Sequence, residues 1–288
     1  MGESGAGARA PAVGAAVGVL LAVLGAGGCR DTPGSGSVSA GSGGAARPTE
    51  LRLDYATYNL SSIVLRHKGW LEEELARDKI PVRWLLSQGS NKANEMIASG
   101  SVDLASTAGS AALLARSNGV PLKVVYVYVK AAWTGLVVGE RSPITTLAEL
   151  RGKKIAATRG TEPFFFLLRS LHAAGLAQSD VEVVHMQHAS GRTALSRGDV
   201  DVWAGLDPLM ASAELRERAR VLYHNGDFNT FGTLNAREEF LAKYPELVQR
   251  VIGQYERARR WILEHPGETA ELLATESKIE LDVATRQL

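Results

Sequence analysis

The sequence predicts an α/β fold made of two similar halves, each a parallel sheet covered by helices. Strand-like and helix-like segments alternate from Leu51 to His185. A phrase occurs twice, GSVDLASTAGS at Gly100 to Ser110 and GDVDVWAGLDP at Gly198 to Pro208. Each copy follows a helical run that stops on glycine, the residue that takes the left-handed cap at no steric cost.

The elements follow in order. LRLDYATY from Leu51 alternates as a half-buried strand does, and Ile63, Leu65, Trp70, Leu71 and Leu75 then recur at helical spacing within IVLRHKGWLEEELARDK. Next come a strand at 82–86, a helix at 93–99, a strand at 102–105, a helix at 110–117 and a strand at 123–129. The second half restarts with a short helix ended by Gly152, a strand at 154–158 and a helix at 164–174. A strand at 181–185 and a helix at 191–196 lead into the second copy of the phrase. There Asp207 suits a helix N-cap and Pro208 the first helical position. After Asn225 one strand-like piece is followed by helices set off by Pro245 and Pro266. Ligands of open sheets sit outside the carboxyl ends of the strands, so two such ends facing each other would make a cleft.

The 288 residues are 45% hydrophobic and 22% charged with a formal net charge of +1, a globular composition with room for two units of roughly 100 residues. No basic stripe exists to follow a phosphate backbone, which argues against nucleic acid as a partner. Pro11 to Gly28 carries no charge and ends at Cys29, the only cysteine. Such a run resembles a secretory signal closing on a bacterial lipoprotein cleavage site, although Ala26 stands where those sites usually have leucine. Its glycines and shortness weigh against a membrane-spanning anchor. One cysteine excludes an internal disulfide and a cysteine-ligated metal. The Gly/Ser/Ala-rich stretch that follows would span roughly 25 Å as a flexible tether.

Four stretches together resemble the solute-binding proteins of bacterial ABC importers, in the aliphatic-sulfonate, taurine and nitrate group. They are SGSVDLASTAGSAALLARSNGVPLKVV, SPITTLAELRGKKIAATRGTEPFFFLLRSLHAAGL, RGDVDVWAGLDPLMASAE and YPELVQRVIGQYERARRWILEHPGETAELLA. The resemblance implies the type II periplasmic binding protein fold, two Rossmann-like lobes with two hinge crossovers. Its implied layout is a lipoprotein signal peptide at 1–29, a linker at 30–48, lobe I at 49–137 and 232–288, and lobe II at 138–231. The crossings fall near Thr134 to Val138 and Phe231 to Asn235. It also implies a monomer at the extracytoplasmic face of the cell membrane, lipid-anchored at Cys29. Such a protein hands a small organosulfur anion to permease transmembrane subunits and uses no cofactor or metal. Members usually continue several dozen residues past the point matching Leu288, so a truncated copy is expected.

The group holds its anion with neutral donors, a task suited to helix N-termini. Candidates are Ser106 and Thr107 ahead of one helix, Gly160 and Thr161 ahead of another, Tyr58, Asn59 and Ser61 in the first loop, and Trp203 and Asp207 on the second lobe. Three or four hydrogen bonds to a charged group, each roughly 1.5–3 kcal/mol, would offset desolvation and leave about micromolar affinity. One departure is GTEPFFF in place of the serine-rich helix start of sulfonate binders. Two like charges 5 Å apart repel by roughly 3 kcal/mol at an effective dielectric near 20. Glu162 must therefore turn away, meet a ligand amine, as in taurine, or signal a non-anionic ligand.

Alternatives within the fold are nitrate or a thiamine pyrimidine precursor stacked on Phe164 to Phe166, Trp133 and Trp203. An enzyme of the pyrimidine-synthesising kind would need a cysteine-rich segment that this chain lacks. The His185 and His188 pair has no third ligand in the sequence pattern. A sensor using lobe closure as its signal is a third class.

Overall fold

The computed structural model describes residues 47–130 and 132–288. The signal segment, Cys29 and most of the linker lie outside the described residues. Among the described residues ten strands form two five-stranded sheets. The first contains β1 (Leu51–Tyr55), β2 (Val82–Leu86), β3 (Leu104–Ala108), β4 (Leu122–Val129) and β10 (Gly232–Arg237), in the order β2-β1-β3-β10-β4. The second contains β5 (Thr134–Val138), β6 (Lys154–Ala157), β7 (Glu182–His185), β8 (Val202–Leu206) and β9 (Arg220–Tyr223), in the order β7-β6-β8-β5-β9.

Both sheets are mixed rather than wholly parallel, because each receives one antiparallel strand from the other half of the chain. β10 runs against β3, with Gly232 opposite Ala108, and β5 runs against β8, with Thr134 opposite Leu206. Thr134 to Val138 and most of Phe231 to Asn235, expected as crossings, are thus ladder strands. The connections precede them, one including Lys130, Ala132 and Trp133 and the other at 224–231. These lie side by side: His224 Nε2 lies 2.9 Å from Ala132 O, and Thr134 Oγ1, at the start of β5, donates to Asn229 Oδ1 at 2.7 Å.

Helices cover both faces of each sheet. In the first lobe they are α1 (Leu60–Lys68), α2 (Trp70–Ala76), α3 (Ser90–Ala98) and α4 (Gly109–Ser117). α5 (Glu162–Ala173), α6 (His188–Arg197) and α7 (Leu209–Glu217) cover the second. The long helix expected from Ile63 onward is broken at Gly69, which takes φ 66° and caps α1 by donating to Leu65 O. The C-terminal helices α8 (Glu238–Lys243), α9 (Pro245–Glu264) and α10 (Pro266–Ser277) lie with the first lobe, and Tyr255 and Leu273 join Leu53 and Leu65 in its core. α11 (Leu281–Gln287) differs, since it is wedged between α10 and α7 of the second lobe. Val283 and Ala284 are buried there, while Arg216 pairs with Glu280 at 3.3 Å and with Asp282. Among the described residues no helix is long and apolar enough to cross a membrane.

The repeated phrase performs one structural task twice. Gly100 and Gly198 both adopt the left-handed region, with φ 70° and 77°. Asp103 N donates to Arg52 O while the Asp103 carboxylate accepts from Arg52 N at 3.0 Å. In the second copy Asp201 N donates to Lys154 O while its carboxylate accepts from Lys154 N at 2.8 Å. Each aspartate thereby clamps the start of its strand to the neighbouring one, and the strand then runs toward the space between the lobes.

Candidate functional site

The carboxyl ends of β3 and β8 meet across an interlobe cleft, together with the N-termini of α3, α4, α5 and α6. Its inner recess, lined by Tyr58, Ser90, Trp133, Thr161, Glu162 and His188 among others, encloses about 10 Å³. That is room for about one water. The recess is small because the lobes touch: a Cβ on Gly89 of the first lobe would come within 3.3 Å of His188 Nε2 on the second.

Glu162 clasps the lobes. It opens α5 and is 2% exposed, and its carboxylate accepts from Ser110 Oγ at 2.7 Å, from Thr230 N at 3.0 Å and from Thr230 Oγ1. Ser110 belongs to the first turn of α4 and Thr230 to the second connection between the sheets. The carboxylate therefore lies between two helix N-termini, where negative charge is favoured. This resolves the charge conflict foreseen from the sequence: the anion facing α4 belongs to the protein itself.

Beside the recess lies a larger chamber of about 440 Å³, lined by Leu60, Ser61, Tyr128, Lys130, Asp207, Arg259 and Ile262, and sharing Tyr58 and Trp133 with the recess. The walls are mixed. Leu60, Leu263 and Ile262 offer apolar faces, Lys130 offers a cation, Arg259 contributes a guanidinium already paired with Glu256 at 2.7 and 2.9 Å, and Trp133 Nε1 is a buried donor with no partner among the described residues. Burial, opposed by a hydrogen bond from Ala211 N, raises Asp207 to about 6.

Of the residues expected to bind, Tyr58, Ser61, Thr161, Glu162 and Asp207 line the two cavities. Gly160, at φ 75°, forms the turn before α5 and faces Asn91 across the cleft. Four others turn into the lobes. Ser106 and Thr107 are fully buried in mid-strand, because β3 continues to Ala108 instead of ending at Ala105. Ser106 donates through both N and Oγ to Asp54, and Thr107 Oγ1 accepts from Asn235 Nδ2 at 2.9 Å. Asn59 caps α1 by accepting from Ser62 N. Trp203 packs against α6, where a Cβ on Gly191 would come within 2.7 Å of its ring. Phe166, offered as a stacking face, is core, touching Tyr223 and Phe228. The sequence reading overlooked Ser90, Ser110 and Thr230, and treated His188 as incidental. Helix-start serines were a readable signal; the pairing of Ser110 with a residue 52 positions away was not.

Two lobes built on mixed sheets, joined by paired connections and presenting helix N-termini to a shared cleft, define the two-lobed fold of the type II periplasmic binding proteins. More particularly, the chain belongs to the NMT1/THI5-like family, whose model matches residues 57–269. A protein of Escherichia coli (strain K12) assigned by name to aliphatic-sulfonate binding is 31% identical over 215 residues, covering 73% of this chain and 66% of that protein. The chain thus spans just under two thirds of the length of that relative. Among solved structures, the alkanesulfonate-binding protein SsuA from Xanthomonas axonopodis pv. citri bound to MOPS superposes with a TM-score of 0.79 at 26% identity, over 84% of each chain. The periplasmic aliphatic sulphonate binding protein SsuA from Escherichia coli gives 0.73 at 27% identity, over 83% of this chain and 78% of that one.

Proposed function

We propose that the chain is the solute-binding component of an ABC importer, lipid-anchored at Cys29 outside the cytoplasmic membrane. It takes a small organic sulfonate into the interlobe cleft and passes it to permease transmembrane subunits without chemical change. The observation that carries this reading is the chamber in which Lys130 and the Trp133 indole N–H, unpaired among the described residues, stand beside apolar walls. A sulfonate spreads one charge over three oxygens and carries a carbon chain, so it needs several donors and an apolar bed together. The chamber volume falls within the ordinary range for small-molecule sites, about 300–1,000 Å³. Kinship with sulfonate binders supports the same class. The pyrimidine alternative is weakened because Phe166 and Trp203 are core residues.

The test is calorimetric titration and thermal shift of the purified chain with alkanesulfonates, taurine, MOPS, nitrate and pyrimidines. A ligand held only by the folded form raises the melting point with the logarithm of its concentration. Saturable sulfonate binding, weakened at least tenfold by Trp133→Phe combined with Lys130→Gln, is expected. Absence of binding by every sulfonate, with binding of nitrate or a pyrimidine, would overturn the assignment.

A further inference from the structure

Asp54 is fully buried near the end of β1, and among the described residues no cation pairs with it. Ser106 N and Ser106 Oγ donate to its carboxylate at 2.8 and 2.9 Å, and Ser87 Oγ donates at 2.7 Å. Arg52, two residues back on the same strand, is committed to Asp103. The titratable groups that face the carboxylate are tyrosines: Tyr58 from the loop after β1, Tyr128 from β4 and Tyr255 from α9. Burial, with the Asp54 charge adding to it, holds all three above the usual tyrosine range, so they keep their protons. The same burial raises Asp54 itself to about 6.

Tyr58 links this buried group to the cleft. Its side chain lines both the recess and the chamber, and its Oη lies 3.1 Å from Ser87 Oγ and 3.3 Å from Ser106 O. Ser87 Oγ has a single proton, which an ionised Asp54 takes. Both neighbours of Tyr58 Oη are then acceptors, so the tyrosine proton points into the lobe and lone pairs are left for the cleft. A protonated Asp54 reverses the chain. Its O–H is donated to Ser87 Oγ, the Ser87 proton turns to Tyr58 Oη, and the Tyr58 proton is released toward the cavity, where an anion is a stronger acceptor than the Ser106 carbonyl. One proton enters from solvent and stays on Asp54; every other step is the rotation of a hydroxyl.

We propose that Asp54 is a positioning residue that couples capture of an anionic solute to uptake of one proton, by setting the direction of the Tyr58 hydroxyl. This rests on the sulfonate reading above for the charge of the solute, and adds a proton as a second ligand of the same protein. Affinity is highest where Asp54 is protonated, below about pH 6, and falls as pH rises past that value. Two other groups on the cavity walls bear on the pH profile. His188 is held down to about 4 by burial and stays neutral above that, whereas Asp207 is raised by burial to about 6 and must be separated by substitution.

The experiment is calorimetry of wild type, Asp54→Asn, Tyr58→Phe and Asp207→Asn with propane-1-sulfonate, whose own charge is constant between pH 5.5 and 8. At pH 7 each titration is run in phosphate and in imidazole, whose different heats of ionisation give the number of protons taken up on binding. Wild type should bind about tenfold tighter at pH 5.5 than at pH 8, the worth of about one charged hydrogen bond, and should take up a measurable fraction of a proton at pH 7. Asp54→Asn has the shape and hydrogen-bond order of the protonated acid, so at pH 8 it should bind within about threefold of wild type at pH 5.5 and lose the uptake. Tyr58→Phe leaves the carboxylate in place but cuts the chain; it should lose most of the pH dependence, and it supplies the test if Asp54→Asn does not fold. Asp207→Asn should keep the uptake, whatever it does to affinity. Wild-type binding independent of pH, or uptake that survives Asp54→Asn and vanishes in Asp207→Asn, overturns the coupling and leaves the sulfonate reading standing. A full pH dependence in Tyr58→Phe overturns it too, since the tyrosine is then not the link. No binding by wild type at any pH removes the sulfonate reading and the coupling together.

Discussion

Replacing Glu162 by Gln tests whether the clasp holds the lobes closed. The carboxylate accepts three hydrogen bonds from the opposite lobe and its connection, two from hydroxyls and one from an amide. Gln keeps one acceptor for Thr230 N, loses the charge and presents an NH₂ where hydroxyl protons now point. Hydrogen bonds to charged groups contribute about 1.5–3 kcal/mol against about 1 for neutral ones, so a loss near 2 kcal/mol is expected. At 1.4 kcal/mol per tenfold, closure weakens roughly 30-fold. The Thr230 amide reports directly, because it sits on the connection while its acceptor lies on the second lobe: hydrogen exchange there should speed up by about that factor, with the β-sheet amides unchanged. Solute affinity should fall by a similar factor if closure and binding are one equilibrium. A double-mutant cycle with Ser110→Ala should return a coupling of at least about 0.5 kcal/mol. Thr230 exchange within threefold of wild type, together with additive mutants, would refute the clasp.

Asp103→Asn should lower stability by about 3 kcal/mol in urea titration, since its carboxylate is 2% exposed and holds both Arg52 and Arg237; Asp201→Asn, with a single solvated amide contact, should have a clearly smaller effect. Burial, opposed by hydrogen bonds from Ser87 and Ser106, raises Asp54 from 3.8 to about 6, so the folded protein binds more protons than the unfolded chain between those values. Wild-type stability from this group therefore declines as pH rises from 4 to 6, and Asp54→Asn should match wild type below pH 4 and exceed it at pH 7, by up to about 3 kcal/mol for a shift of roughly two units. Melting curves across that range check the sign. Gly191→Ala should cost about 1–3 kcal/mol and perturb Trp203 fluorescence, because the added methyl would lie 2.7 Å from the indole.

Much of this architecture was legible in one dimension. The helix stops at Gly100 and Gly198 followed from the freedom of glycine, and the recurrence of Gly-x-Val-Asp marked equivalent strands. Its chemical reason was hidden, because each aspartate acts on the backbone of a strand about 50 residues earlier. The same distance defeated the assignment of Ser106 and Thr107. A run of small polar residues reads as a loop until Asp54 and Asn235 are brought beside it, when it becomes a buried strand with every hydroxyl engaged. Trp203 misled because strands alternate: Val202 and Ala204 face the α5 side, so the indole faces α6. Glu162 was the opposite case. Its charge made it conspicuous beside a helix start, and the three donors that answer it appeared only once the lobes were in place.

The wedged position of α11 makes salt a variable of lobe motion. Ala284 sits in the first lobe's core, whereas Arg216 of α7 meets Glu280 and Asp282, and Arg286 of α11 meets Glu214 of α7, at the solvent boundary. When the halves swing apart the weaker of these two attachments must slip, and solvated ion pairs are the weaker. Raising ionic strength from 0.01 to 1 M shortens the screening length from about 30 to about 3 Å, loosening that grip while leaving the apolar one intact. Brine should therefore favour the parted form, and dilute buffer the shut one.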